Sequence, residues 1–128
     1  MSLKEHWKPE PDEHDYPAAA NYLALVLSPA LVESVVAELR AAPIAYWKAK
    51  DLLRASRLDL LSSENPHVSA DLKKVSKGEK LSPVLLVRGD MNEGALLEIA
   101  DGYHRICASY HLDENAEVPC RVAARLVR

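Results

Sequence analysis

One segment constrains this chain more than any other: Leu96-Leu97-Glu98-Ile99-Ala100-Asp101-Gly102-Tyr103-His104-Arg105. An apolar run meets a glycine and continues into Ile106-Cys107-Ala108-Ser109-Tyr110. That order predicts strand, tight turn, helix. Glycine at the junction lets the backbone turn sharply and come close to a ligand. The helix that opens there begins with amides lacking intrahelical acceptors and with a partial positive charge. His104 and Arg105 fall in its first turn. The turn is therefore a candidate seat for an anion, and phosphate is the chemistry that fits it best.

The rest of the chain limits what can surround such a turn. A length of 128 residues points to a single domain, residues 1–128, with 48% hydrophobic residues to build a core. Phe is absent, so Leu, Val, Ile, Tyr and Trp carry the packing. The net charge of −3 argues against broad binding to nucleic acid or a membrane surface. The acidic excess lies in the first half, and the half holding the glycine turn is balanced. Two cysteines, Cys107 and Cys120, make no disulfide framework and no C-x-x-C pair, and both read as small buried hydrophobes. No run is long and apolar enough for a signal peptide or a membrane span, which makes a reducing, cytoplasmic setting the expectation.

Read along the chain, residues 1–17 form an irregular, Pro- and acid-rich arm, pinned by Trp7 and Tyr16. Residues 18–64 read as a helical extension. Tyr22–Leu27 suits a short strand or a buried helical turn. Ser28-Pro29 gives a cap followed by proline at the first helical position, and Leu31, Val32, Val35, Val36 and Leu39 repeat at helical spacing up to Ala42. A second helix is predicted from Tyr46 to about Leu61, with Tyr46, Trp47, Leu53, Leu60 and Leu61 buried. Residues 65–128 form the core unit. Asn65-Pro66 repeats the cap signal for a helix ended by Gly78. Val84–Arg88 and Leu96–Ala100 read as a hairpin with a long loop, a helix follows from about His104 to Leu112, and Val118–Ala123 is a last strand. Pro119 places that strand at a sheet edge or at its own start. The fold class expected is α+β: a small mixed β-sheet with packed helices.

From about Leu72 to Leu126, this layout resembles the ParB/sulfiredoxin-like superfamily. The resemblance rests on "GEKLSPVLLVRG", on "LEIADGYHRICASY" and on "EVPCRVAARLV" in that order. Members carry a G-x-x-R-x-x-A element that opens a helix and binds nucleotide phosphates; here it is Gly102, Arg105 and Ala108. Ser82-Pro83 matches the strand start of ParB domains. Tyr103 occupies the position that sulfiredoxins fill with a catalytic cysteine, so sulfiredoxin chemistry is not expected. Too few residues follow the last strand for the helix-turn-helix of ParB partition proteins, so chromosome partition by this chain alone is not expected either. The resemblance implies a ParB/sulfiredoxin-like core joined to a helical N-terminal extension. It also implies binding of a nucleotide or another phosphorylated small molecule, and it leaves hydrolysis or phosphotransfer open.

Each candidate residue has an alternative role. Arg105 can clamp phosphate oxygens or pair with Asp101 or Glu98. Asp101 can engage Mg²⁺ on a nucleotide, accept a proton from a substrate hydroxyl, or cap the helix. His104 can donate to phosphate or act as an acid, or be a surface residue. Gly102 admits the ligand, Tyr103 stacks on a base or sugar or fills space, and Lys80 and Ser82 complete the site from the neighbouring strand. His6, Glu13, His14 and Asp15 match no closed zinc spacing, so no protein-bound metal is expected. The competing reading of the whole chain is a non-catalytic interaction or regulatory module, with a protein partner.

Overall fold

A computed structural model describes residues 6–124. Ten elements follow in order: α1 (Asp15–Leu23), α2 (Pro29–Ala41), β1 (Ala45–Lys48), α3 (Ala49–Ser56), α4 (Pro66–Ser76), β2 (Val84–Val87), a 3₁₀ turn (Met91–Glu93), β3 (Glu98–Asp101), α5 (Tyr103–Leu112) and β4 (Glu117–Ala123). The four strands form one mixed sheet in the order β1-β4-β2-β3. β1 and β4 run antiparallel, β4 and β2 parallel, and β2 and β3 antiparallel. The small α+β fold with a mixed sheet is as expected.

β2 explains why the sheet has helices on both faces. Val84, Leu85, Leu86 and Val87 are all buried, a continuous apolar run that only a strand covered on both sides can use. Val84 and Leu86 join Val118, Cys120, Leu52, Val68 and Ile106 in one core, under α3, α4 and α5. Leu85 and Val87 join Ala100, Ala123, Leu23, Val35 and Leu39 in the other, under α1 and α2. Each buried Leu or Ile contributes roughly 1.5–3 kcal/mol relative to exposure. Both cysteines are fully buried, as their small apolar character suggested.

The N-terminal half departs most from expectation. Residues 18–64 are not a purely helical extension: Ala45–Lys48 is a strand that pairs with Glu117–Cys120, so the extension supplies part of the sheet. The predicted helix from Tyr46 to Leu61 shrinks to α3, Ala49–Ser56, and stops at Arg57 in the left-handed region (φ 57°). Tyr46 and Trp47 suit a pleated strand better than a helix, and both remain more than 40% exposed instead of filling the core. Leu60 is exposed as well, whereas Leu53 is buried. α1 begins inside the expected arm, and Tyr22–Leu27 is neither a strand nor buried throughout: Leu25 and Val26 face solvent beyond the end of α1. The arm is pinned as expected, with Trp7 buried in a bridge to Leu81 and Tyr16 buried beneath the Arg40 guanidinium. Residues 1–5 of that arm and residues 125–126 of the superfamily resemblance lie outside the described residues.

In the C-terminal half the elements fall where predicted, with strand ends displaced by one or two residues. β4 is not an edge strand, yet Pro119 is still accommodated. β1 covers only residues 117–120 of β4, and β2 covers only 120–123. Among the described residues, Pro119 therefore has a neighbouring strand on one side alone.

Candidate functional site

The turn after β3 is built as the sequence implies. Gly102 adopts φ 112°, a conformation that disfavours any side chain. A Cβ there would lie 2.4 Å from Val84 Cγ1 and 2.8 Å from Arg105 Nη2. Gly102 itself caps α5, without a side-chain hydrogen bond. Asp101 is thus the last residue of β3 and not a helix cap. The amide of Ile106 donates to the Gly102 carbonyl at 3.0 Å. Among the described residues, the amides of Tyr103, His104 and Arg105 donate to no group outside α5.

Across this turn stands α4. Its start is fixed by Asn65, whose side chain accepts from the amides of His67 and Val68, and by Pro66 in the first turn. α4 packs along α5 and presents His67, Asp71 and Lys74 to a cleft of about 260 Å³. Asp101, Gly102, His104 and Arg105 form the opposite wall. The His67 and His104 rings lie 4.7 Å apart, one from each helix. Burial, aided by His67 and Arg105, pushes the His104 imidazole below its ordinary pKa. Burial also raises the carboxyls of Asp71 and Asp101, against the pull of Arg105 on both.

Arg105 is already engaged. Its Nη2 lies 2.8 Å from Asp101 Oδ2, and its Nη1 lies 3.8 Å from Asp15 Oδ1. Asp15 is 3% exposed and accepts hydrogen bonds from Ser82 Oγ at 2.7 Å and from the Asp12 amide at 3.1 Å. The guanidinium thus ties α5 to β3 and α1, the pairing with Asp101 that the sequence held as the alternative to a phosphate clamp. Its Nε is buried without an acceptor, a cost that a packed core rarely leaves standing.

Other sequence candidates are placed elsewhere. Ser82 is buried against Asp15 and does not line the cleft, and Lys80 is exposed outside it. Tyr103 turns away from the cleft and donates its hydroxyl to the Asp59 carbonyl, so it anchors the loop after α3. Of the lysines on α4, Lys74 alone lines the cleft. His67 and Asp71 went unnoticed in the sequence. Their signal was the spacing of His67, Asp71 and Lys74 on one face of a capped helix, legible only once α4 is known to face the turn.

The arm brings three potential metal ligands together, and cations already face two of them. Among the described residues, Asp12, His14 and Asp15 are the His/Asp group whose ligand atoms lie within 4.8 Å of one another. Lys8 pairs with Asp12 at 2.8 Å, and Arg105 faces Asp15, so those acids are already neutralised by cations. Glu13 pairs with Arg40 instead. Asp71 and Asp101 both line the cleft, and Mg²⁺ typically binds through one or two carboxylates together with a ligand's own phosphates. No family model, curated protein or solved structure matches the chain.

Proposed function

We propose that the cleft between α4 and the start of α5 binds the phosphate of a small phosphorylated molecule, with a nucleotide as one member of that class. One observation carries the reading. α5 starts at the cleft wall with Gly102, His104 and Arg105, its first amides have no acceptor outside the helix among the described residues, and His67 and Lys74 face them from α4. The lining is mixed in sign on both walls, with Asp71 and Lys74 on α4 and the Asp101–Arg105 pair across from them. A phosphate ester carrying hydroxyl groups matches that mixture better than a bare anion: amides and cations meet the phosphate, and carboxylates accept from the hydroxyls. At about 260 Å³ the cleft is smaller than a typical ligand pocket, so a nucleotide would seat its phosphates and leave its base outside. Asp101 and His104 are the groups placed to move a proton if the bound ester reacts.

Thermal unfolding in the presence of ATP, CTP, GTP, ADP and simple sugar phosphates tests this. A ligand at one hundred times its dissociation constant adds about 2.7 kcal/mol, a shift of several degrees for a domain of this size. At least one phosphate ester should stabilise the wild type, and the shift should shrink in Lys74→Ala, an exposed residue whose loss leaves the fold intact. A flat panel contradicts the reading and favours the non-catalytic interaction module.

A further inference from the structure

A second, larger cavity of about 880 Å³ lies at the other end of the sheet and shares no lining residue with the cleft. It exists because the sheet is staggered. β1 stops pairing at Cys120, so among the described residues Arg121–Ala123 have no neighbouring strand on that side. α3 covers the same face only as far as Ser56, where the left-handed Arg57 turns the chain away. The loop between β2 and β3 closes the space from the other side, held by tight backbone packing of Gly89 against residues 95–97. The floor and walls are apolar: Leu52, Leu86, Leu97 and Val122, with the exposed Trp47 and Leu96 also lining the opening.

The charges around this apolar space are not balanced. Arg54, Arg57 and Arg88 line it together with Asp51 and Asp90. Asp51 is taken by Arg54 at 3.3 Å, and the Asp90 carboxylate accepts from the Asn92 amide at 2.9 Å. Among the described residues, Arg57 and Arg88 have no carboxylate within ion-pair distance. We infer that this cavity is a binding site for a small amphipathic anion: a ring-sized apolar body against the leucines and Trp47, and one carboxylate or sulfonate held by Arg57 and Arg88. Its volume lies within the range of small-molecule pockets, and planar guanidinium forks match such oxyanions. Burial of the apolar body supplies the affinity, and the arginines set the preference for charge.

The dye 8-anilinonaphthalene-1-sulfonate and its uncharged counterpart N-phenyl-1-naphthylamine serve as probes, titrated against the full chain by dye fluorescence. The sulfonate should saturate at one site per chain. Arg57→Ala/Arg88→Ala should weaken it at least tenfold, about 1.4 kcal/mol, with little effect on the uncharged dye. Ala55→Trp, a substitution on the exposed side of α3 that fills the cavity, should abolish binding of both dyes. Lys74→Ala should change neither. Binding that never saturates, that ignores the paired arginine substitution and Ala55→Trp, or that is lost in Lys74→Ala overturns the inference.

Discussion

Arg105 shows why a residue singled out by sequence can be right in importance and different in role. Its i, i+4 partner Asp101 was legible, since both stand in one short segment. Asp15, 90 positions away in the chain, was not, because nothing local links an N-terminal arm to the start of α5. Arg105→Ala removes the guanidinium that faces both the buried Asp15 carboxylate and Asp101, and should cost about 3 kcal/mol in chemical denaturation. An unchanged midpoint would show that the two acids do not depend on this guanidinium. His104 supports a separate prediction. Its folded pKa is depressed, so the unfolded chain takes up the proton first as pH falls. The stability it contributes is full above the ordinary histidine value and is lost as pH drops through the lowered one. The melting temperature of wild type should therefore fall between about pH 7 and pH 5 more steeply than that of His104→Gln. Parallel curves for the two proteins would contradict the assignment.

At the scale of elements, local signals worked where they were complete. Asn65-Pro66 gave both a capping side chain and a pre-set first turn, and α4 starts there. Ser28-Pro29 looks the same in sequence, but the Ser28 side chain makes no capping bond, and proline alone sets the start of α2. Asn65→Ala should accordingly cost about 1 kcal/mol, read as a drop in melting temperature. A loss of that size from Ser28→Ala would contradict the distinction drawn here. β1 was not legible because Tyr46–Lys48, all but its first residue, read as part of a helix until β4, about 70 residues later, supplies their ladder. A strand this short is decided by its partner, not by its own pattern. The displaced ends of β2 and β3 follow from the same cause, since pairing fixes them and apolar runs only suggest them.

For the whole molecule, a small mixed sheet with packed helices and the turn at Gly102 were legible in the sequence, whereas the placement of helices on both faces of β2 was not. Nor was it legible which surfaces become concave. The cleft depends on α4 lying across from α5, and the larger cavity depends on where β1 stops; both are products of long-range packing. The central claim is that the unpaired amides at the start of α5 receive a phosphate ester. The most direct test is to follow backbone amide resonances while titrating the ester that stabilises the protein most, or inorganic phosphate if none does. Saturable downfield shifts confined to Gly102, Tyr103, His104, Arg105 and neighbouring residues of α4 are the predicted result. Unmoved resonances at those amides, or shifts that map to another face, would contradict it.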